Sequence, residues 1–309
     1  MVEASLPSVG VIVPTHNRPV LVRRAVESVL AQDYRGPIQI VVVFDRAAPD
    51  DSLAGGEPGR TVEVVENGRT PGLAGARNTG VLQLNTELVA FCDDDDTWCP
   101  GKLTRQVEVL REDPATQFVT TAMQVEHADS GTAIRLAGKS TITFDDLIRS
   151  RMSMLHSSSF VFRRAAALPP DGFGLVDETM PRSMGEDWDL LLRAARRAPI
   201  RHVDEPLVRV LWGASSYFSE VWSDKIAANH WLVEHYPELH RDRRTSAMMS
   251  GKLAFGHAAL GHRRESLQYI AGTLRTRWRE PRAVLALLVL AGVPSRFVVT
   301  QLNKRGRSI

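Results

Sequence analysis

Short apolar runs alternate with amphipathic stretches through the first third of the chain. VGVIVP (9–14) ends at a proline and reads as a buried strand. Asn17 and Pro19 then open a helix in which Leu21, Val22, Ala25, Val26, Val29 and Leu30 recur at helical spacing. IQIVVVF (38–44), Val62–Val65 and LVAFC (88–92) read as further strands, and LAGARNTGVLQL (73–84) as a helix between the last two. Strand, helix, strand in this order predicts an α/β fold with a mixed, largely parallel sheet flanked by helices. From about Trp222 the strand pattern gives way to Ala-, Leu- and Arg-rich helical patterns. The longest apolar stretch there, within 281–299, has about a dozen apolar residues, below the roughly 20 that cross a bilayer.

Polar residues gather where the strands stop. Thr15-His16-Asn17-Arg18 follows the first strand, Asp45 the second, and Asp93-Asp94-Asp95-Asp96 the fourth. Ligands of open α/β sheets bind outside the carboxyl ends of the strands, so these clusters define one candidate site. Two unit charges about 4 Å apart repel by roughly 4 kcal/mol at an effective dielectric of about 20. Four adjacent carboxylates at a strand end therefore ask for a cation or for protonation.

Composition adds three constraints. With 309 residues, 43% of them hydrophobic, the chain can bury a sizeable core. Its two cysteines, Cys92 and Cys99, fit a reducing compartment and form neither a zinc pattern nor a disulfide framework. No basic-then-apolar leader opens the sequence, so a cytoplasmic location is expected. The net charge of +2 conceals an asymmetry: 241–309 carries 14 Lys/Arg against 3 Asp/Glu, and 1–240 carries 24 against 33. An acidic body and a basic tail suggest different partners for the two regions.

PTHNR after the first strand, the strand ending at Asp45, GLAGARNTG (72–80), DDDDTWCPGKLTRQ (93–106) and GEDWDLLLRAA (185–195) together resemble an inverting family 2 glycosyltransferase of the GT-A fold. The resemblance runs from about Val9 to Trp212. It implies a catalytic domain over 1–218, with a donor half to about 100 and an acceptor half beyond, followed by a basic helical region over 219–309. By this resemblance Asp95 and Asp93 hold a divalent Mn²⁺ or Mg²⁺ on the donor's diphosphate, Asp94 lies near the ribose, and Asp96 supports the loop. Asp45 resembles the carboxylate that meets the nucleobase, although the family's commoner pair of aspartates is here Phe44-Asp45. Pro14, Thr15, Asn17, Arg18 and Arg77 match the donor-binding positions; Asn17 reads equally as a helix N-cap. Asp187 matches the general base, with Glu186 beside it at a helix start. His156, Trp188 and Trp212 are assigned to the acceptor side. The segment after that helix, LVRVLWGASSYF (207–218), lacks the histidine that many GT-A enzymes supply to the metal.

Asp93-x-Asp95-x-Thr97 also satisfies the nucleophile motif of haloacid-dehalogenase phosphohydrolases, but that motif normally follows the first strand of its domain. A GT-A-like carbohydrate-binding protein without turnover is the non-enzymatic alternative. Processive synthases add transmembrane helices and Gln-x-x-Arg-Trp; here Leu274 stands where that glutamine would precede Arg277-Trp278. The expected reaction is thus a single sugar addition from a nucleotide-sugar, a UDP-sugar favoured, to a glycan, lipid-linked saccharide or natural-product acceptor. No nucleic-acid partner is expected. The basic stretch Arg275–Arg307 is expected at the inner face of the cell membrane, or at a lid or homodimer interface.

Overall fold

The computed structural model describes residues 5–127, 131–212, 221–303 and 309. The chain forms two compact units, the first comprising 1–147, 152–178 and 186–213 and the second 148–151, 179–185 and 214–309.

The first unit is built on one sheet whose strands are β1 (Val9–Thr15), β2 (Ile38–Phe44), β3 (Gly55–Glu57), β4 (Arg60–Glu66), β5 (Leu88–Phe91), β6 (Thr97–Trp98), β7 (Phe118–His127), β8 (Gly131–Arg135), β9 (Thr141–Ile142), β10 (Val161–Arg163) and β11 (Ile200–Trp212). Among the described residues their order is β3-β4-β2-β1-β5-β10-β7-β11-β6, with β8 on β7 and β9 on β11. β4, β2, β1 and β5 run parallel, β10 enters antiparallel between β5 and β7, and β7 and β11 are again parallel.

β1 is buried along its whole length, which is why it reads as an unbroken apolar run rather than an alternating one. Pro14 is tolerated in this strand because pairing with β5 ends at Ile12–Phe91, leaving β2 as the one neighbour at that level. α1 (Pro19–Leu30) starts with proline at its first turn and buries Val22, Ala25, Val26 and Val29. At about 1.5–3 kcal/mol per buried aliphatic side chain, that stripe pins the helix to the sheet. The N-cap of α1 is Arg18; Asn17 is exposed at φ 54°, so the N-cap reading of Asn17 is corrected. An extended conformation would be needed for the capping oxygen to reach the first turn, and this residue is left-handed.

Helices α2 (Leu73–Gln83), α3 (Lys102–Glu112) and α5 (Arg164–Ala167) lie in the first unit, and the chain passes to the second within α4 (Phe144–Arg149). α6 (Glu186–Arg197) follows, burying Trp188, Leu190, Leu191, Leu192, Ala194 and Ala195. The second unit holds α7 (Trp222–His235), α8 (Arg243–Ala259), α9 (Arg263–Thr276), α10 (Pro281–Leu290) and α11 (Ser295–Asn303). Its core is formed by Ala254, Phe255, Ala258, Ile270, Ala283, Ala286 and Val298. No helix among the described residues is long and apolar enough to cross a membrane.

Candidate active site

Parallel register brings the polar strand ends to one edge of the sheet. Thr15 lies opposite Phe44, so Asp45 emerges beside it, its amide donating to the Thr15 carbonyl at 2.9 Å. Ile12 lies opposite Phe91, and Cys92 N–H donates to the Ile12 carbonyl, so Asp93 leaves the sheet next to the same turn.

The acidic loop is divided by partner. Asp93 accepts from Arg77 Nη2 at 2.6 Å and from Ser157 Oγ at 2.8 Å, while its own amide donates to Ser158 Oγ. Burial works against its charge, but Arg77 and His156 hold its carboxyl below the usual range. Asp94 accepts from Thr15 Oγ1 at 2.8 Å and Arg18 Nη1 at 3.0 Å; burial outweighs both partners and raises its pKa. Asp95 accepts from the same Arg18 nitrogen at 2.7 Å. Burial, then repulsion from Asp96, Asp93 and Asp94, pushes Asp95 up to about 6. Asp96 is buried, accepting from Ser158 Oγ and lying 3.2 Å from His156 Nδ1. Trp98 closes the turn, its indole N–H donating to the Ser158 carbonyl.

Arg77 is the hub. It is fully buried in α2, and its guanidinium donates to Asp93 on one side and to Glu186 Oε1, at 2.5 Å, on the other. Gly75 makes room for the start of this helix, since a Cβ there would lie 1.9 Å from the Thr70 carbonyl oxygen. Burial, with Asp187 and Asp93 close by, raises Glu186 to about 7 against the pull of Arg77. Asp187, half-buried at the first turn of α6, accepts from the Trp188 amide. His156 is held up at about 9, its burial overcome by Asp96, Asp93 and Asp187.

Asp45 sits in a cradle of donors: Asn67 Nδ2 at 2.8 Å, the Gly72 amide at 2.9 Å and Arg46 Nε at 2.9 Å. Gly72 presents its amide from φ 126°, a backbone state that glycine alone adopts readily. These donors lower the Asp45 pKa in spite of burial.

The structure thus gathers Thr15, Arg18, Arg77, Glu186 and His156 as partners of the acidic loop or of one another, with Asp187 next to Glu186 and Asp45 at the adjoining strand end. Pro14 is buried near the end of β1 and has no N–H to donate, so its backbone carbonyl is the one polar group it offers there. Arg77, read from the sequence as reaching toward a nucleotide, is fully buried with its two terminal nitrogens on Glu186 and Asp93. Trp188 on the acceptor side is corrected, because it is fully buried and its indole N–H donates to the Leu147 carbonyl; the apolar stripe of α6 carries it into the core. Trp212 ends β11, and its side chain lies outside the described residues. Sequence reasoning missed Ser157, Ser158 and Asn67. Single hydroxyl and amide residues leave no periodic signal, and only the fold sets them against the aspartates.

The donor set fits a divalent cation. Hard dications take carboxylate oxygen, and oxygens of Asp93 and Asp96 with a nitrogen of His156 lie within 4.8 Å of one another. Asp96 is occupied by Ser158 and His156, whereas the Asp95 side chain is about one-third exposed and is paired with Arg18. Among the described residues, the group close enough to share one ion is thus Asp93, Asp96 and His156, with Asp95 on the same loop.

This sheet order, with carboxylates at the parallel edge and an antiparallel strand beyond, is that of the GT-A glycosyltransferases. The S. aureus TarS fragment 1–349 solved with UDP-GlcNAc superposes with a TM-score of 0.56 over 97% of this chain and 92% of that one, at 16% identity. The mannosyltransferase PcManGT of Pyrobaculum calidifontis, solved with GDP-Man and Mn²⁺, gives 0.53 over 96% and 84%, at 20% identity. Residues 10–168 match the family model described as glycosyl transferase family 2, and the chain belongs to that family. An uncharacterized glycosyltransferase of Rickettsia felis is 28% identical over 233 residues, 72% of this chain and 36% of that protein. The succinoglycan biosynthesis protein ExoO of Rhizobium meliloti is 28% identical over 194 residues, 62% and 53% respectively. The chain thus spans between a third and about half of the length of these relatives. Family membership removes the haloacid-dehalogenase reading.

Proposed function

We propose that this chain is an inverting, metal-dependent glycosyltransferase that moves one sugar from a nucleotide-diphosphate donor to an acceptor hydroxyl. The observation that carries this reading is Arg77, which fastens the donor-side carboxylate Asp93 to Glu186, the neighbour of Asp187. A nucleotide-binding edge and a second acidic pair at a helix start are thereby locked into one site.

In this reading Thr15 and Arg18 fix Asp94 and Asp95 under the donor, and Asp45 with Asn67 meets the nucleobase. Asp95 and Asp93 hold Mn²⁺ or Mg²⁺, which when bound stabilises the charge developing on the leaving diphosphate. Asp187 takes the proton from the acceptor hydroxyl as that oxygen attacks the anomeric carbon from the face opposite the leaving group. One displacement assisted by one base inverts the anomeric configuration. Arg77 offsets the like-charge repulsion between Asp93 and Glu186 at the start of α6.

The Asp45 carboxylate suits an N–H on the base edge, which uracil and guanine both present, and a UDP-sugar is the favoured donor. The S. aureus neighbour solved with UDP-GlcNAc supports this choice, and the neighbour solved with GDP-Man makes GDP the next candidate. For the acceptor, a saccharide carried on a lipid or a growing glycan is favoured. A Campylobacter jejuni relative named as a GalNAc(5)-diNAcBac-PP-undecaprenol β-1,3-glucosyltransferase is 31% identical over 117 residues, 37% of this chain and 38% of that protein. We further propose that the catalytic domain extends over 1–218 and that 219–309 is a separate helical region.

The test is a calorimetric titration of UDP with and without Mn²⁺, repeated on Asp95→Ala. Mn²⁺-dependent binding that disappears in the variant supports the reading. If UDP does not bind under either condition and GDP and dTDP fail as well, the reading falls.

A further inference from the structure

α10 in the second unit has two unlike faces. Ala283 and Ala286 are buried against the core it shares with α8 and α9. The close approach to α8 is made possible by Gly251, where a Cβ would lie 2.8 Å from Arg282 Cβ. On the other side Val284, Leu287 and Leu288, spaced i, i+3 and i+4, are 54%, 41% and 44% exposed. Two exposed aromatic residues flank the helix, Trp278 before it and Phe297 in α11 after it.

The sequence around this helix is strongly basic. Residues 275–309 hold Arg275, Arg277, Arg279, Arg282, Arg296, Lys304, Arg305 and Arg307 against one acid, Glu280. Glu280 is itself buried and neutralised by Arg282 at 2.7 Å and Arg277 at 3.6 Å. The Arg279 guanidinium lies 4.4 Å from the centroid of the Trp278 ring, pairing a cation with an interfacial aromatic.

We propose that α10 and its flanks form a peripheral docking surface for an anionic lipid bilayer. A helix of 10 residues is only about 15 Å long, too short to span, so it lies in the plane of the interface. Its apolar stripe enters the boundary between headgroups and acyl chains, Trp278 sits at headgroup depth, and the arginines meet phosphates. A symmetric pairing of two copies through this face is opposed by the same charges, since an isologous contact sets each cationic rim against its own image. An apolar stripe in a strongly basic segment suits a partner that is apolar inside and negative at its surface. The inference rests on the second unit alone and stands whether or not the proposed transfer reaction does.

The experiment is co-sedimentation of the full chain with vesicles of phosphatidylcholine containing phosphatidylglycerol, against phosphatidylcholine alone, at physiological salt. Expected is partitioning onto the anionic vesicles at least tenfold above the neutral ones, weakening as salt rises. Leu287→Ser with Leu288→Ser should lower it tenfold or more at unchanged circular dichroism, and Arg279→Glu with Arg296→Glu should do the same without touching the stripe. Absence of partitioning by the unmodified chain overturns the proposal, as does an apolar variant that partitions normally. Sedimentation velocity showing a dimer that the leucine variant dissociates would also overturn it and assign the face to a second copy.

Discussion

Arg77 Nη1 lies 2.5 Å from Glu186 Oε1, a buried ion pair between residues 109 positions apart, and the other arm of the same guanidinium holds Asp93. Breaking a buried pair by removing one partner leaves uncompensated charge and costs about 3–5 kcal/mol. Arg77→Met should therefore lower the denaturant midpoint strongly at pH 7. Arg77→Lys should recover only part of the loss, because an ammonium cannot reproduce the forked contact to two carboxylates. Equal midpoints for Arg77→Met and the unmodified chain would remove Arg77 from the centre of the site.

Asp95 and Asp96 are neighbours with opposite expected effects. The folded-state pKa of Asp95 lies at about 6, above its ordinary 3.8, so the folded form favours the proton and Asp95 costs stability as pH rises from 3.8 through 6. Asp95→Asn should raise the melting temperature of the metal-free protein at pH 7 while removing Mn²⁺-dependent UDP binding. Asp96→Asn should lower the melting temperature, since Ser158 and His156 lose their buried partner. Melting curves of both variants with and without Mn²⁺ separate a ligand from a support.

Asp187→Asn keeps the shape of the carboxylate and removes its basicity. A positioned base contributes about 10²–10⁴-fold, so transfer should fall by that factor. Donor binding measured by calorimetry should stay unchanged. An equal fall in donor affinity would mean that Asp187 binds rather than abstracts.

Glu178 ties the loop before α2 to the helix itself, accepting from Arg69 Nε, the Thr70 amide and Asn78 Nδ2. Burial opposes its charge, yet these donors, led by Asn78, lower its pKa from 4.5 to about 2. Its contribution to stability is complete above pH 4.5 and drains away as pH falls toward 2. The gap in denaturant midpoint between the unmodified chain and Glu178→Gln should be widest near pH 6 and narrow by pH 3. A gap independent of pH would show that the charge is not what holds the loop.

What the sequence determined by itself is what a local pattern can encode. Unbroken apolar runs could bury both faces of β1, β2 and β5 only inside a parallel sheet, and turn chemistry put polar residues where those runs stop. The ordered motifs likewise place Asp45, Asp93–Asp96 and Glu186–Asp187 at strand and helix ends. The tertiary structure decided which of these groups touch. Arg77 reads from its motif as a ligand-facing residue, but packing of α2 against the sheet buries it between two acids. Trp188 follows the supposed base and looks surface-bound in the motif, yet the 3.6-residue period of α6 turns it into the core. Asp94, Asp95 and Asp96 are identical in type and adjacent in sequence. Their separate fates follow from which partner the fold delivers to each: Thr15 and Arg18 from β1 and its turn, Arg18 alone, or Ser158 and His156 from the segment before β10. Contacts across 60 to 110 residues carry no local periodicity, so only the assembled sheet could assign them.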